Sequence, residues 1–572
     1  MRLIERDDHQ ALIRSLIRDS LAGRGQVLLL EGVAAGGRTA LLAETVAQAE
    51  RAGLLTLRVA CSPLESELTG SVLSQLVHGL PDPGELAEAA VPDYHAFCRA
   101  VLRAAARTPL VIAVDDVHHA DAASVQGLLY LARRLGTARV LLVAASRRDD
   151  GGFAEDFATA LLSDPRVHRL DVAPLSAAGT ARLVAERLGE VPDEAGLTAE
   201  FHRLSGGSPA LLKALVDDWR HGGTVTEQGY GGAVVDLLRR WDAGVLRIAR
   251  ALAVLGEHGT PDRVAALAGL DRDSGAGAVE RTLAVLTSAG VLHGGRFPHP
   301  VAAAAVAGTV AGAERAALNR RAAQLLHALG ESAPAVARHL AESRQRVEAW
   351  AVPVLAEAAE QEVLAGYGDR AARYFELAHE ACPDPAGRAV LLDQLAEAEW
   401  RLNPSAALRR LPALVAAAQT GLLSPERLPG LVRRLLWHGR QADAETVLAR
   451  LREATAADPA LQAETRGLDS WLRFTYPGLA RHGSALTPTR GTPGPAPAAE
   501  PGARPWPGPP ARLTPGPPTT TEPTFHPTEP PTPTHPTEPP TPTRPTEPPT
   551  PTRHAAPPTP TRPTELPAPA RR

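Results

Sequence analysis

The chain has 572 residues, of which 44% are hydrophobic and 22% are charged, so it can form three or four domains with packed cores. Its formal net charge of −4 gives no bulk argument for nucleic-acid binding. The three cysteines, Cys61, Cys98 and Cys382, lack the spacing of a zinc site. A charged N-terminus and no run of about 18 apolar residues predict a soluble cytoplasmic protein with no membrane partner.

Residues 1–150 alternate short aliphatic runs with amphipathic helical stretches. The runs lie at 26–32, 54–60, 109–116 and 139–147. This alternation is typical of an α/β fold in which helices cover both faces of a parallel sheet.

The stretch "GVAAGGRT" at residues 32–39 follows the first run and precedes a helical pattern. Its spacing is that of the phosphate-binding loop G-x-x-x-x-G-K-[ST], with Arg38 in place of the lysine. Gly32 and Gly37 let the backbone turn and approach phosphates, whose charge the free N–H groups and the helix dipole bind. Thr39 offers a hydroxyl to Mg²⁺, and Arg38 offers the cation for the phosphates.

Polar side chains end the third and fourth runs. Asp115 and Asp116 end "LVIAVDD", where Asp115 is predicted to hold Mg²⁺ and Asp116 to orient or activate the attacking water. Ser146 and Arg147 end "LLVAASR", and Arg147 is predicted to reach the γ-phosphate. The alternatives are a helix cap for the two acids and a surface position for the arginine. His118 and His119 are interpreted as packing or helix-start residues, since adjacent side chains point apart.

The rest of the chain has three kinds of pattern. Residues 151–225 indicate helices, and residues 230–310 a small helical domain ending in a β-type wing. Turn signals followed by amphipathic helices recur at Gly368, Asn403 and Gly439, which favours stacked helix pairs over an irregular helical array. Beyond residue 484 a nine-residue Pro/Thr-rich unit repeats, which predicts a disordered tail that is either inert, a spacer or a ligand for a Pro-binding module.

Several sequence segments together resemble the STAND class of signalling ATPases, and most closely the large ATP-binding LuxR-type regulators of actinobacteria. They are "LIERDDHQALIRSLIRDSLAGRGQVLLLEGVAAGGRTALL", "VIAVDDVHHADAASVQGLLYLARRL", "LSGGSPALLKALV", "RFPHPVAAAAV" and "GLDSWLRFTYPGLA". The resemblance covers about residues 1–480. It implies an AAA-like P-loop NTPase core (1–150), a helical lid (151–228), a winged-helix-like domain (229–311), a tetratricopeptide-like array (312–480) and a tail (484–572).

The resemblance also implies roles for particular residues. The Walker A positions are Gly32, Gly37, Arg38 and Thr39, the Walker B positions are Asp115 and Asp116, and the sensor position is Arg147. Gly207, Ser208 and Pro209 fall on the G-x-P module of the lid, whose proline packs near adenine. His299 corresponds to a phosphate-sensing histidine of the winged helix.

We therefore predict an ATP/ADP-binding switch that uses Mg²⁺ and acts in signal transduction or transcription regulation. Arg38 in place of lysine, and Ala35 in place of a further glycine, predict slow or impaired hydrolysis. A small-molecule or protein inducer is expected at the helical array, with self-association left open. One alternative is a pseudo-ATPase scaffold that acts through its helical array. The other is a DNA-binding LuxR-type transcription factor, which is not expected because no terminal helix-turn-helix is visible in the sequence.

Overall fold

The computed structural model describes residues 3–83, 86, 93–147, 159, 164–189, 196–271, 274–457 and 461–481. The chain divides into two units, Met1–Leu486 and Thr487–Arg572. The tail predicted at 484–572 lies outside the described residues.

A parallel five-stranded sheet organises the N-terminal part, as the aliphatic runs predict. Its strands are β1 (Gln26–Gly32), β2 (Leu55–Ala60), β3 (Leu110–Asp115), β4 (Val140–Arg147) and β5 (Val167–Asp171), in the order β2-β3-β4-β1-β5. Each neighbouring pair is parallel. The helices along this part of the chain are α1 (Asp7–Leu21), α2 (Arg38–Arg51), α3 (Ser71–His78), α4 (Tyr94–Arg107) and α5 (Ala122–Ala132).

The two faces of this sheet bury alternate residues of the same strands. Leu28 and Leu30 of β1 pack with α1 and α2, whereas Val27 and Leu29 join a second core with α3, α4 and α5. Each buried aliphatic side chain of this kind contributes on the order of 2 kcal/mol. The central strands are therefore aliphatic along their whole length, and polar groups remain only at their carboxyl ends.

Strand β5 corrects the prediction that residues 151–225 are purely helical. Its sequence, "VHRLD", has no aliphatic run, and its residues are half-buried or exposed. It pairs only with β1, at one edge of the sheet. An edge strand needs no apolar residues on both faces, so the pattern that revealed the other four strands is missing here.

The middle of the chain is helical. It contains α6 (Ala177–Leu188), α7 (Leu197–Ser205), α8 (Pro209–Gly222), a π-helical turn (Glu227–Gly231), α9 (Gly232–Leu238), α10 (Ala243–Leu255), α11 (Pro261–Ala268) and α12 (Gly275–Ser288). Buried Asp218 near the end of α8 accepts hydrogen bonds from Thr226 and from the backbone N–H of Tyr230. The Tyr230 hydroxyl in turn donates to the carbonyl of Leu204. These bonds fix α9 against the two helices before it.

Where the sequence predicted a β-type wing, the described residues contain one isolated antiparallel bridge, between His293 and Arg296. The helices that follow are α13 (Pro300–Gly308), α14 (Gly312–Ala328), α15 (Ala333–Ser343), α16 (Ala351–Leu364), α17 (Gly368–Ala381), α18 (Pro385–Leu402), α19 (Pro404–Ala407), α20 (Leu411–Gln419), α21 (Leu428–Trp437), α22 (Gln441–Ala457), α23 (Leu461–Thr475) and α24 (Pro477–Arg481). Within the described ranges no single helix is long and apolar enough to cross a membrane, and only α13 with α14, a pair bent by 119°, passes by length and composition.

A regular spacing connects the later helices. Four side-chain hydrogen bonds each join residues 34 positions apart: Gln394 to Glu360, Arg410 to Glu376, Arg427 to Asp393, and His438 to the carbonyl of Pro404. Buried Asp393 and Arg434 pair between α18 and α21. Helices α17, α19 and α22 begin within two residues of the three turn signals that the sequence repeats.

Candidate nucleotide site

The loop between β1 and α2 has the backbone of an anion-binding loop. Gly37 has a φ of 101° and precedes α2, and because glycine has no side chain to cap the helix, the first N–H groups of α2 remain available to a ligand. A Cβ on Gly32 would lie 2.5 Å from the carbonyl oxygen of Val172, so only glycine fits there. Ala35 adopts a φ of 57°, which is the left-handed region that glycine occupies at lower cost.

The two acids at the end of β3 have different environments. Asp115 is buried and accepts a hydrogen bond from the Thr39 hydroxyl and another, of 3.1 Å, from the backbone N–H of Asp116. Burial, and then the charge of Asp116, raise the pKa of Asp115 above its ordinary value. Asp116 has a φ of 49° and a side chain that is 38% exposed. The left-handed turn therefore points the second carboxylate into the open part of the site.

Arg38 occupies the place predicted for the loop cation. Its side chain is only 8% exposed, and its Nη2 lies 3.4 Å from Oδ1 of Asp116. The guanidinium thus lies between the loop and the end of β3, where it contacts a carboxylate of the site.

Arg147 lies beside the loop because Gly32 of β1 pairs with it in the sheet. Its guanidinium carbon lies 5.6 Å from the ring centre of Trp241, which follows α9. His118, whose ring is tilted by 48° against that of His119 with 4.1 Å between ring centres, is nearby and has an almost wholly buried side chain. Burial, followed by the charges of His119, Arg147 and Arg38, lowers the pKa of His118 to about 2, so this imidazole stays neutral at physiological pH.

The G-x-P segment contacts the loop directly. The Ser208 hydroxyl donates a 3.3 Å hydrogen bond to the carbonyl of Ala35. The carbonyl of Gly207 accepts from the backbone N–H of Leu175 at 2.8 Å. Pro209 begins α8, and its Cγ would lie 3.8 Å from a Cβ placed on Gly37.

Arg6 is a residue of this region that the sequence did not reveal. It is buried, and its Nη2 donates to the carbonyl of Gly36 at 3.2 Å and also to the carbonyl of Ala173. Burial lowers the pKa of its guanidinium below the usual value. Arg6 therefore holds the phosphate loop to the segment after β5, a role that only the folded chain makes visible.

Two cavities adjoin at the start of α2. The larger, of about 610 Å³, has the loop, Asp116, Arg147 and the start of α8 in its wall. It also includes three cations that the sequence analysis did not single out, Lys213, Arg239 and Arg240, together with His118 and His119. The smaller, of about 330 Å³, has a mostly apolar lining that includes Ile4, Leu175 and Leu183. The walls of both include Gly37, Ala40, Ala43, Pro209 and Lys213.

The structure thus brings together most of the predicted site residues. Six of them are in the wall of the larger cavity: Gly37, Arg38, Thr39, Asp116, Arg147 and Pro209. Gly32 and Asp115 are buried directly behind it, at the ends of β1 and β3. His299 is in the wall of neither cavity as the described residues form them, and its Nδ1 instead accepts a hydrogen bond from the backbone N–H of Val301 at the start of α13.

Residues 2–143 match the sequence model of the AAA ATPase domain. This part of the chain is an AAA ATPase domain. The loop and the two acids lie within the matched residues, whereas β4 ends at Arg147 and β5 lies wholly beyond them. A search of curated proteins finds no match to the chain.

Several solved structures are distantly similar to this chain. A STAND protein with a tetratricopeptide repeat sensor from Pyrococcus horikoshii is 13% identical, with 82% of this chain and 78% of that chain covered and a TM-score of 0.27. The Aeropyrum pernix ORC2 protein, in its ADPNP-ADP complexes, is 16% identical, with 54% of this chain and 95% of that chain covered and a TM-score of 0.33. Drosophila ORC bound to DNA is 17% identical, with 50% of this chain and 80% of that chain covered and a TM-score of 0.29.

Proposed function

We propose that the chain is an ATP- and ADP-binding regulatory switch of the STAND type, similar to the ATP-binding LuxR-type regulators, in which hydrolysis is slow. The observation that carries this proposal is the charge of the larger cavity. Its wall includes five positively charged side chains, Arg38, Arg147, Lys213, Arg239 and Arg240, against one carboxylate, Asp116. Such a surplus, next to free N–H groups at a helix start, is suited to a polyphosphate.

The two adjoining cavities fit the two ends of a nucleotide. The cationic cavity suits the phosphates, and the apolar cavity beside Ile4, Leu175 and Leu183 suits a base. Pro209 borders both, which agrees with the packing of a lid proline near adenine. The phosphates would then lie over the start of α2.

The residues present also fit Mg²⁺. Thr39 and Asp115 supply a hydroxyl and a carboxylate oxygen in direct contact, and Asp115 is buried at the end of β3 beside the second carboxylate, Asp116. Mg²⁺ keeps several waters and takes one or two carboxylates plus phosphate oxygens, so it needs no larger protein cage. The described residues contain no cluster of three or more His, Cys, Asp or Glu side chains, so the proposed Mg²⁺ site rests on Thr39, Asp115 and the phosphates.

A switch requires that the ligand contacts parts of the chain that can rearrange. The wall of the larger cavity combines the AAA domain with Pro209 and Lys213 of α8 and with Arg239 and Arg240, which follow α9. A polyphosphate would favour the arrangement in which these cations converge. Without it, their uncompensated repulsion would favour an arrangement in which they lie further apart. Nucleotide state would thereby control how α8 and α9 pack against the AAA domain.

Arg38 is the reason to expect slow turnover. Its planar guanidinium is bulkier than an ammonium and already contacts Asp116, the residue proposed to activate water. Ground-state binding depends largely on the backbone N–H groups, which Arg38 leaves in place, whereas catalysis depends on matching the transition state. We therefore expect binding to be retained and hydrolysis to be impaired.

Residues 312–480 are proposed to form a tetratricopeptide-like array that binds the inducer or partner. The support is the set of hydrogen bonds 34 residues apart, because that is the length of one such repeat. For the segment between α9 and α14 we propose a winged-helix-like domain, in which the His293–Arg296 bridge marks the wing.

Thermal unfolding with added ligand tests the proposal. A ligand that binds only the folded chain raises the melting temperature in proportion to the logarithm of its concentration over Kd. ADP and ATP with Mg²⁺ are expected to raise the melting temperature, and adenosine much less. An unchanged melting temperature with millimolar ADP and ATP would refute nucleotide binding.

A pseudo-ATPase scaffold is the second candidate, and the Arg38–Asp116 contact favours it. If that ion pair persists with nucleotide bound, neither side chain is available for catalysis. The two candidates differ in one result: the switch requires different conformations with ADP and with ATP, whereas the scaffold gives the same proteolysis pattern with either nucleotide.

A further inference from the structure

Lys213 is the only lysine among the 60 Lys and Arg residues of the chain. It lies on α8, one turn after Pro209, and is half-buried. A single lysine in a chain otherwise supplied with arginine could lie anywhere on the surface. It lies instead in the wall of both cavities.

Lys213 lies at the junction of the two cavities. The residues that border both are Gly37, Ala40, Ala43, Pro209 and Lys213, so the junction lies over the first turns of α2. A nucleotide that occupies both cavities must pass this point with its phosphates. Lys213 of α8 and the first turns of α2 border the same junction, so phosphates there would lie within reach of both.

Lys213 shares the wall of the smaller cavity with Glu44 and Glu186, but among the described residues no ion pair joins its ammonium to either. Asp217, one turn further along α8, lies 3.8 Å from Arg187 instead. Across the part of the chain that the structure describes, no carboxylate lies within ion-pair distance of Lys213. Arg38, by contrast, contacts Asp116 at 3.4 Å. Of these two cations, Lys213 is the one that can turn to a phosphate without leaving a carboxylate of the described residues.

We propose that Lys213 supplies, from the lid, the ammonium that binds the phosphates of the nucleotide at a site whose loop carries arginine. An ammonium is a compact point charge on a flexible stem, so it can follow phosphate oxygens that a rigid guanidinium reaches only in particular orientations. Because Lys213 belongs to α8, its contact also couples the position of the lid to the phosphates. This inference rests on the proposed nucleotide site and deepens it.

Amine acylation tests the contact without a mutation. N-hydroxysuccinimidyl acetate modifies amines, and Lys213 carries the only ε-amino group of the chain, so its acetylation is read from one peptide by mass spectrometry. With ADP and Mg²⁺ at saturation, the acetylation rate of Lys213 is expected to fall at least tenfold, and with adenosine much less. A lysine-containing reference peptide in the same tube corrects for the reagent. An unchanged rate, in a sample where ADP binding is measured directly, would overturn the inference.

Variants give the second test. Lys213→Met is expected to weaken ADP binding about ten- to a hundredfold, the usual effect of losing one hydrogen bond to a charged group. Adenosine binding is expected to stay unchanged, and Lys213→Arg to lie between Met and the wild type. Arg220→Met is the matched control, because Arg220 is an exposed cation on the same helix and in the wall of neither cavity.

The outcomes separate this inference from the proposed function. If the wild type binds no ADP, both fail. If the wild type binds ADP and Lys213→Met binds it equally well with an unchanged melting temperature, only the role of Lys213 is wrong. Equal weakening of ADP and adenosine by Lys213→Met would also overturn the phosphate contact.

Discussion

Nη2 of Arg38 lies 3.4 Å from Oδ1 of Asp116, so the cation of the phosphate loop contacts the second acid at the end of β3. Each of these side chains is expected to face the phosphates in a working site, the arginine as a donor and the acid beside the attacking water. Their contact implies that bound phosphates must compete with Asp116 for the guanidinium. It also implies that changing either residue alters the surroundings of the other.

Arg38→Lys is expected to raise ATP turnover at least tenfold and to change ADP affinity little. The ammonium fits the loop as a point charge and releases Asp116, while the backbone N–H groups that hold the ground state are unchanged. Phosphate release over hours with excess ATP measures turnover, and ADP titration measures affinity. Equal turnover in both proteins, or a wild type that already hydrolyses ATP at a normal enzymatic rate, would show that Arg38 does not limit the reaction.

Asp115→Asn and Asp116→Asn are expected to have different effects on nucleotide binding and on ATP turnover. Asp115 contacts Thr39 and is proposed to hold Mg²⁺, so its loss weakens nucleotide binding only when Mg²⁺ is present. Asp116 is proposed to act on water, so its loss lowers turnover and leaves ADP affinity nearly unchanged. ADP titrations with and without Mg²⁺, together with turnover, distinguish the two. Equal loss of binding in both variants would mean that these roles are wrongly assigned.

Ala35→Gly is expected to keep or raise stability, by at most about 1 kcal/mol. Ala35 has a φ of 57°, and the relief of that strain outweighs the extra freedom of glycine in the unfolded chain. Ala34→Gly is the matched control: Ala34 is buried and does not have a positive φ, so the same change there removes packing and lowers stability. Thermal unfolding of both variants measures the difference, and an equal loss at both positions would contradict the strain.

How far the sequence predicted this site depends on the kind of residue. The loop and the acids follow from local pattern, because an aliphatic strand with polar residues at its end has few alternatives. Strand β5 could not be predicted in this way, because this edge strand, "VHRLD", contains no aliphatic run. Lys213, Arg239 and Arg240 were missed for another reason: their approach to the loop depends on how α8 and α9 pack against the AAA domain, and no periodicity along the chain encodes that distance.

The stability of the helical region is expected to fall as the pH decreases from 7 to 5, and His339 to account for part of that fall. Its Nδ1 donates to Asn319 Oδ1 at 2.9 Å in the core, and burial, followed by the charges of Arg338 and His258, lowers its pKa to about 3. Below its ordinary pKa of about 6.5 the unfolded chain takes up a proton that the folded chain does not. The pKa difference therefore costs about 2 kcal/mol of stability at pH 5, and nothing at pH 8.

Urea unfolding of the wild type and of His339→Phe, each at pH 7 and pH 5, measures this contribution. The variant is expected to be less stable at pH 7, because Asn319 loses its partner, but to lose less stability on acidification. The quantity to compare is the change in the free energy of unfolding between pH 7 and pH 5 within each protein. The packing change affects both pH values equally, so it cancels from this difference. An equal loss in both proteins would show that His339 does not titrate as its surroundings require.

Calorimetric titration of the wild-type protein with ADP in the presence of Mg²⁺ tests most directly the claim that the loop, the acids and the lid form one nucleotide site. We predict saturable binding of one ADP per chain at micromolar concentrations, with adenosine at least a hundredfold weaker because it lacks the phosphates that the five cations attract. No detectable binding of ADP at millimolar concentration, or equal affinity for ADP and adenosine, would contradict the account.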